Sequence, residues 1–310
     1  MEFEEALWNH NEWSNKFRAA FLAKYGFREL RAEVFQDTVK IVKDGGYRLG
    51  QRDCIIENQA KDIKIIFYEN PPKVVQKGND TATKIAVINA DCLETARLIF
   101  QSGINPVVLN MANRQNPGGG VISGAGAQEE NIFRRSNLYI SLYQFVDYCT
   151  QYNIQRNTAF SYPLNRDTGG IYSNAVTVFR GSEANGYYLL SNPYQLSFVT
   201  VPAINNPDLV LIDGEYRIVV ALIEPTKEKI RTILRIAINN GHDSAVLSAF
   251  GCGAFGNPPK HMAELFHQVF NEVEFRNKLK LIVFAIIDDH NARKAHNPEG
   301  NVLPFLREFE

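Results

Sequence analysis

Two carboxylates stand side by side at Glu129 and Glu130, directly after Gln128 and seven residues beyond the consecutive glycines Gly118, Gly119 and Gly120. A glycine run leaves backbone amides unobstructed, so a ribose or a diphosphate can approach the main chain closely. A carboxyl group beside such a loop has the chemistry of a general acid or base. Neighbours on a helix point about 100 degrees apart, so the two glutamates cannot face each other across one bond and must take different roles. Each feature alone also has a plain structural reading. Glycines serve mobile loops and tight turns, and glutamates in a first helical turn offset the helix dipole.

A second constellation runs from Phe250 to Pro259 and contains Gly251, Cys252, Gly253, Ala254, Phe255 and Gly256, with Asn257 closing it. Glycine-rich turns between a strand and a helix present amide hydrogens and a positive dipole end to phosphate oxygens. The segment lacks the Lys-Ser/Thr pair of a nucleotide-hydrolysing phosphate loop, and its glycine spacing alone is a weak dinucleotide signal. Asp91 ends the run Ile85 to Ala90, where it either accepts from an exocyclic amine or caps the following helix.

Other chemistries lack their residues. The histidines show no His-Glu-x-x-His spacing, which disfavours a metal hydrolase, and no Gly-x-Ser-x-Gly elbow appears. His261 and His267 fall on an amphipathic pattern and read as packing or surface residues. Asp288-Asp289-His290 reads either as polar capping after the last strand or as a site rim.

The elements that must position these residues follow from periodicity. Polar, turn-prone residues around Asn70-Pro71-Pro72 and Gly78-Asn79-Asp80 divide the chain near residue 80. Before it, residues 4–25 carry apolar side chains at helical spacing, predicting a helical accessory layer over 1–80. After it, in 81–310, strand-like runs (84–89, 106–110, 198–204, 244–250, 280–287) alternate with helical patterns (93–101, 127–145, 224–240, 260–278). Such alternation predicts helices on both faces of a largely parallel sheet, which residues 172–179 make mixed by adding a strand. Ligands of such sheets bind beyond the carboxyl ends of the strands, so the loops after Asn89, Asn110, Ile204 and Phe250 are the candidates.

The composition, 45% hydrophobic and 22% charged over 310 residues, is that of a globular protein with a substantial core, in one large domain or two small ones. Lys and Arg number 33 against 34 Asp and Glu, so no global positive field draws the chain to nucleic acid or a membrane, and a polyanion must be captured locally. The start is acidic where a secretory signal is basic, the apolar run at 281–287 is too short to span a bilayer, and the four cysteines are scattered. A soluble, cytoplasmic protein is expected.

With these residues laid out, Gly118-Gly119-Gly120 followed by Gln128-Glu129-Glu130 resembles the signature of poly(ADP-ribose) glycohydrolases, especially the compact microbial type. Asn110 to Asn113 is similar to the ribose-binding segment of a macrodomain, and Phe250 to Asn257 to its second phosphate loop. The resemblance implies a macrodomain-like three-layer α/β/α fold with an accessory amino-terminal layer. It implies that Glu130 is the catalytic acid, with Glu129 and Gln128 orienting ribose hydroxyls. It further places Asp91 on the adenine amine, Asn113 on the distal ribose, Gly118 to Gly120 along that sugar and the adjoining phosphate, and Gly251 to Gly256 around the diphosphate, with Phe255 packing on the ligand. The implied reaction hydrolyses ribose-ribose bonds without metal or cofactor: Glu130 protonates the leaving oxygen, the diphosphate steadies the cationic sugar, and the carboxylate then activates water. A monomer is expected, acting on poly(ADP-ribose) or ADP-ribosylated macromolecules and binding no nucleic acid sequence-specifically. The competing readings are a non-catalytic ADP-ribose reader, which has no use for the carboxylate pair, and a hydrolase of mono-ADP-ribosylated protein or nucleic acid.

Overall fold

The short apolar runs that close the sequence pattern, 84–89 and 281–286, lie side by side as strands in the computed structural model, which describes residues 3–57, 63–288 and 294–310. Strands β3 (Ile65–Tyr68), β4 (Lys84–Asn89), β5 (Pro106–Met111), β6 (Gly170–Arg180), β7 (Leu189–Val201), β10 (Ser244–Leu247) and β11 (Leu281–Ile286) form one sheet in the order β3-β6-β7-β5-β10-β11-β4. The β7-β5, β5-β10, β10-β11 and β11-β4 pairings are all parallel. Its central strands are near-continuous apolar runs because both faces are covered: Val107, Val108, Leu109, Ala245, Val246 and Leu247 are all buried. The crossing helices are α3 (Cys92–Gln101), α6 (Val220–Asn239) and α7 (Pro259–Phe270), the last started by a proline at its first position. The fold is therefore the expected largely parallel, macrodomain-like sheet flanked by helices, and the strand expected at 172–179 is β6.

The chain divides into two compact units that interleave in sequence. The first comprises Met1–Ile66, Gln115–Pro163 and Ser173–Leu196; the second comprises Phe67–Arg114, Leu164–Tyr172 and Ser197–Glu310. Of the residues expected as an accessory layer, those up to Ile66 share a unit with the Gly118 and Glu130 region, whereas 67–80 belong to the second unit and the strand β3 joins the large sheet instead of a helical layer. The residues before β3 form helices α1 (His10–Ala23) and α2 (Phe27–Asp44) and the hairpin β1 (Gly46–Leu49) with β2 (Arg52–Ile55). A small core of Trp13, Val34 and Tyr187 holds α1 and α2, with Trp8, Phe17 and Leu30 packed against it.

The single helix expected over 127–145 is two, α4 (Gln128–Arg135) and α5 (Leu138–Tyr143). Tertiary pairing breaks it. Ser136 is extended and bridges Val178, while the Asn137 amide donates to the Thr177 carbonyl at 3.1 Å and its side chain accepts from the Thr177 amide at 2.8 Å. The helix expected over 260–278 stops at Phe270, where the Asn271 side chain donates to the His267 carbonyl and the chain turns. A hairpin of β8 (Leu209–Ile212) and β9 (Glu215–Ile218) falls where no element was expected. Its Asp213-Gly214 turn has both residues at positive φ, 51° and 82°, the geometry that an Asp-Gly pair between apolar runs supplies. Asp288 caps the final helix α8 (Val302–Phe309) by accepting from the Asn301 and Val302 amides, whereas Asp289 and His290 lie outside the described residues.

Candidate active site

In the first unit the glycine run and the two glutamates meet. Residues Glu129 and Glu130 are the second and third of α4, and both are buried, at 3% and 7% exposure. The Gly118 amide donates to Glu129 Oε1 at 3.1 Å, and the Gly120 amide donates to Glu130 Oε1 at 2.9 Å. The carboxylates therefore part as helix geometry requires, each onto its own amide.

This loop is neither a mobile linker nor a generic turn. Gly118 and Gly119 have φ of 78° and 53°, a region that side chains rarely adopt. A Cβ on Gly119 would stand 2.5 Å from Glu130 Oε1, one on Gly118 2.5 Å from the Phe133 ring, and one on Gly120 2.8 Å from the Ala125 side chain. The carboxylates and the ring occupy the space that side chains would need, so glycine is demanded on packing as well as backbone grounds.

Behind α4 lies a buried network that has almost no signal in the sequence. Arg134 Nη1 donates to the Ala125 carbonyl and its Nε to the Tyr187 hydroxyl, both at 2.8 Å. Tyr187 donates to Glu183 Oε2 at 2.8 Å, and Arg31 grips Glu183 with two bonds of 2.7 Å. The network ties α2 to the segment leading into Glu129 and Glu130. Burial opposes ionisation of Glu183, but the hydrogen bonds and charge of Arg31, with Arg134, hold its carboxyl below the usual range. Arg31 also lies within electrostatic reach of Glu130. Only Arg134 had a legible hint, four residues after Glu130 and so one turn along the same helix.

On the other side of α4, tyrosine rings pack around Glu129. Tyr143 stacks edgewise on Tyr148 and Tyr152, with centroids 5.4 and 4.7 Å away. Burial, then neighbouring tyrosines and the Glu129 charge, pushes Tyr148 up to about 12 and drives Tyr143 higher still. These hydroxyls stay protonated.

In the second unit the Gly251 to Gly256 loop follows β10 and enters α7. It is held by one neutral residue. Asn257, fully buried, donates through Nδ2 to the carbonyls of Ile204, Gly251 and Phe255 at 2.8, 3.1 and 3.3 Å. Gly251 has φ of 75°, and a Cβ there would lie 2.5 Å from that Asn257 nitrogen. The sequence displayed Asn257 at the end of its motif but no reason to single it out. Cys252 is buried and its thiol is pushed well above its ordinary value by that burial, so only its backbone is available to a ligand. Ala254 is exposed, and Gly253, Phe255 and Gly256 are half-buried.

The remaining candidates are also in this unit. Asp91 is the N-cap of α3, its Oδ1 accepting from the Leu93 and Glu94 amides at 3.1 and 3.0 Å. Asn113 is half-buried two residues beyond β5. His261 is buried and accepts from the Ile218 amide at 2.9 Å; burial and the Arg217 charge lower it to about 4. Among the described residues no cluster of three or more His, Cys, Asp or Glu side chains is arranged to hold a metal ion, and no helix is long and apolar enough to cross a membrane.

The largely parallel sheet with its two glycine-rich loops, one of them set against a buried carboxylate pair, has counterparts among proteins of known structure. Residues 35–181 match the model of the microbial-type PARG (poly(ADP-ribose) glycohydrolase) catalytic domain. It is similar to the crystal structure of poly(ADP-ribose) glycohydrolase from Thermomonospora curvata, with 29% identity, a TM-score of 0.70, and coverage of 90% of this chain and 99% of that one. The same enzyme bound to the inhibitor ADP-HPD gives 28% identity and a TM-score of 0.67 over 91% and 100% of the two chains. The enzyme from Deinococcus radiodurans in complex with ADP-ribose gives 28% identity and a TM-score of 0.56 over 74% and 84%. No curated protein matches the sequence.

Proposed function

We propose that this protein is a poly(ADP-ribose) glycohydrolase that cleaves ribose-ribose O-glycosidic bonds and releases ADP-ribose, with Glu130 as its general acid and base. The observation that carries the reading is the pair of buried glutamates set on the amides of Gly118 and Gly120. A reader of ADP-ribose could use one carboxylate to hold ribose hydroxyls, but a second buried one, which costs desolvation free energy, has its use in proton transfer.

Glu130 donates its proton to the leaving ribose oxygen as the glycosidic bond breaks. The electron pair of that bond leaves with the oxygen, and the substrate's own diphosphate offsets the charge of the oxocarbenium-like sugar. Water then attacks the anomeric carbon and returns a proton to Glu130. Glu129, fixed on the Gly118 amide, and Gln128 orient the ribose hydroxyls. Gly118, Gly119 and Gly120 line that sugar and the adjoining phosphate, and Asn113 contacts the distal ribose. The backbone of Gly251, Cys252, Gly253, Ala254 and Gly256 takes the diphosphate, Phe255 packs on the ligand, and Asp91 holds the adenine amine. The protein acts as a cytoplasmic monomer.

The test compares wild type with Glu130→Gln on automodified polymer, following free ADP-ribose, with calorimetry of ADP-ribose binding to both. The expected result is a fall in kcat on the order of 10²–10⁴ with binding retained. Release by the variant at the wild-type rate would remove Glu130 from the mechanism. Binding by both without release would leave a reader, and release from singly modified protein in preference to polymer would leave a mono-ADP-ribosyl hydrolase.

A further inference from the structure

The corner between α1 and α2 is locally rich in cations. From Trp13 to Arg28 there is no Asp or Glu, but there are Lys16, Arg18, Lys24 and Arg28, in a protein whose net charge is −1. Lys16 pairs with Glu12. Arg18, Lys24 and Arg28 are exposed and have no carboxylate partner among the described residues. Aromatic side chains alternate with these cations. Tyr25 is 83% and Phe21 51% exposed, and Leu22 beside them is 77% exposed, so the exposed apolar side chains are grouped here with the cations.

The corner is joined to the catalytic loop within the same unit. Phe17 and Phe21 stack at 5.8 Å, and Phe21 meets the edge of Phe27 at 5.5 Å. The Arg31 guanidinium lies over Phe17 and Phe27, at 5.1 and 5.7 Å, and also against Gly126, where an added Cβ would collide with its Nη1. The Arg28 carbonyl abuts Gly124 so closely that no Cβ fits there. Arg31 is committed to Glu183, so the free cations of the corner are the outer three. Between Gly120 and Gly124 the Ile122 side chain is exposed, continuing the apolar rim toward the glycine run.

Exposed rings interleaved with unpaired cations are the chemistry that holds a single-stranded polyanion of stacked bases. We propose that the α1-α2 corner, centred on Arg18, Phe21, Lys24, Tyr25 and Arg28, is a polymer-binding platform that takes an ADP-ribose unit beyond the bond being cleaved. An adenine stacks on the exposed rings, and the diphosphate meets the three cations. This inference rests on the glycohydrolase reading for its choice of occupant, since a repeating unit of one adenine and two phosphates matches a surface of alternating rings and cations. The platform confers affinity for chain length and leaves the chemistry at Glu130 untouched.

The test uses the full chain as wild type, Arg18→Glu/Arg28→Glu and Phe21→Ala/Tyr25→Ala, with thermal melting to verify folding. Two readouts are taken: anisotropy of binding to long poly(ADP-ribose), to a two-unit fragment, to free ADP-ribose and to single-stranded oligo(dA) at several salt concentrations; and release of ADP-ribose from the long and two-unit substrates. The expected result is about a tenfold or greater loss of affinity and of kcat/KM on long polymer in both variants, with free ADP-ribose binding and kcat on the two-unit substrate unchanged. The charge-reversal variant also shows a shallower salt dependence. Unchanged polymer affinity in both variants, or equal losses on long and two-unit substrates, overturns the platform. Wild-type affinity for oligo(dA) equal to that for polymer, lost in the same variants, replaces it with a general nucleic-acid surface. If wild type releases nothing from any substrate yet polymer binding falls in the variants, the glycohydrolase reading fails and the platform stands.

Discussion

The two glycine-rich loops make an instructive pair. Both follow a strand and lead toward a helix, and both use positive-φ glycines against which a neighbouring group is packed. They differ in what closes them. The Gly118 to Gly120 loop is closed by two buried carboxylates that reach back from the following helix. The Gly251 to Gly256 loop is closed by the neutral amide of Asn257, which binds three carbonyls of its own unit. A buried carboxylate can exchange a proton, whereas an asparagine cannot. On the proposed reading the same local device, glycine plus a short-range clasp, serves reaction in the first loop and recognition in the second, and the charge of the clasp makes the difference.

The sharpest way to break this contrast is Gly119→Ala. The backbone there is left-handed and the new methyl would meet Glu130 Oε1, so the carboxylate must move. A displacement of that kind costs on the order of 10² in kcat, measurable on polymer at saturation, together with a lowered melting temperature. Wild-type kcat in this variant would mean that the placement of Glu130 is less constrained than its packing indicates.

Asn257→Ala tests the other clasp. The Ile204 carbonyl loses its donor, while those of Gly251 and Phe255 keep the Asn257 and Asn206 backbone amides; the loss costs about 1–3 kcal/mol of stability, and the expected kinetic effect is a raised KM and a weakened calorimetric Kd for ADP-ribose with kcat held. A fall in kcat with unchanged KM would place Asn257 on the reactive side of the contrast instead.

The smallest effect concerns pH. Although burial opposes its ionisation, the Glu183 carboxyl is depressed in the folded protein by Arg31, so the folded state releases its proton more readily than the unfolded chain. Stability from this group is present above the unfolded carboxyl pKa of about 4.3 and is lost as pH falls through the lower folded value. Glu183→Gln should therefore lower the melting temperature at pH 7, by about 1 kcal/mol of stability for a partly exposed pair, and flatten its decline in acid. A parallel acid limb in variant and wild type would show that other carboxylates govern it.

How much of this is legible in the sequence differs by region. The last strand is readable because a strand buried on both faces is written as an unbroken apolar run, whereas the edge strand at 84–89, in which only Val87 is buried, is readable from the apolar run Ile85 to Ile88 alone. The helical pattern over 127–145 reads as one element because its periodicity is continuous; Thr177, forty residues away, supplies the hydrogen bonds that break it at Asn137. The Asp213-Gly214 pair carries a hairpin signal of its own, which the strand-helix alternation masks. Among site residues, Glu129, Glu130 and the glycine run can be singled out because their spacing is short. Arg31, Glu183 and Tyr187 cannot, since their contacts span 152 and 53 positions.

The sequence by itself determined the alternation of strands and helices that builds the main sheet, the glycine runs and the carboxylate pair, since each is carried by residues within about a dozen positions and obeys local rules of periodicity and backbone freedom. Only the tertiary structure decided that Glu129 and Glu130 are buried on separate amides, that the Cys252 thiol is buried, that Asn257 closes the second loop, and that the α1-α2 corner leaves its rings and cations uncovered beside Gly124 and Gly126. Burial and long-range partnership depend on which distant segments arrive at a residue, and no local pattern encodes that.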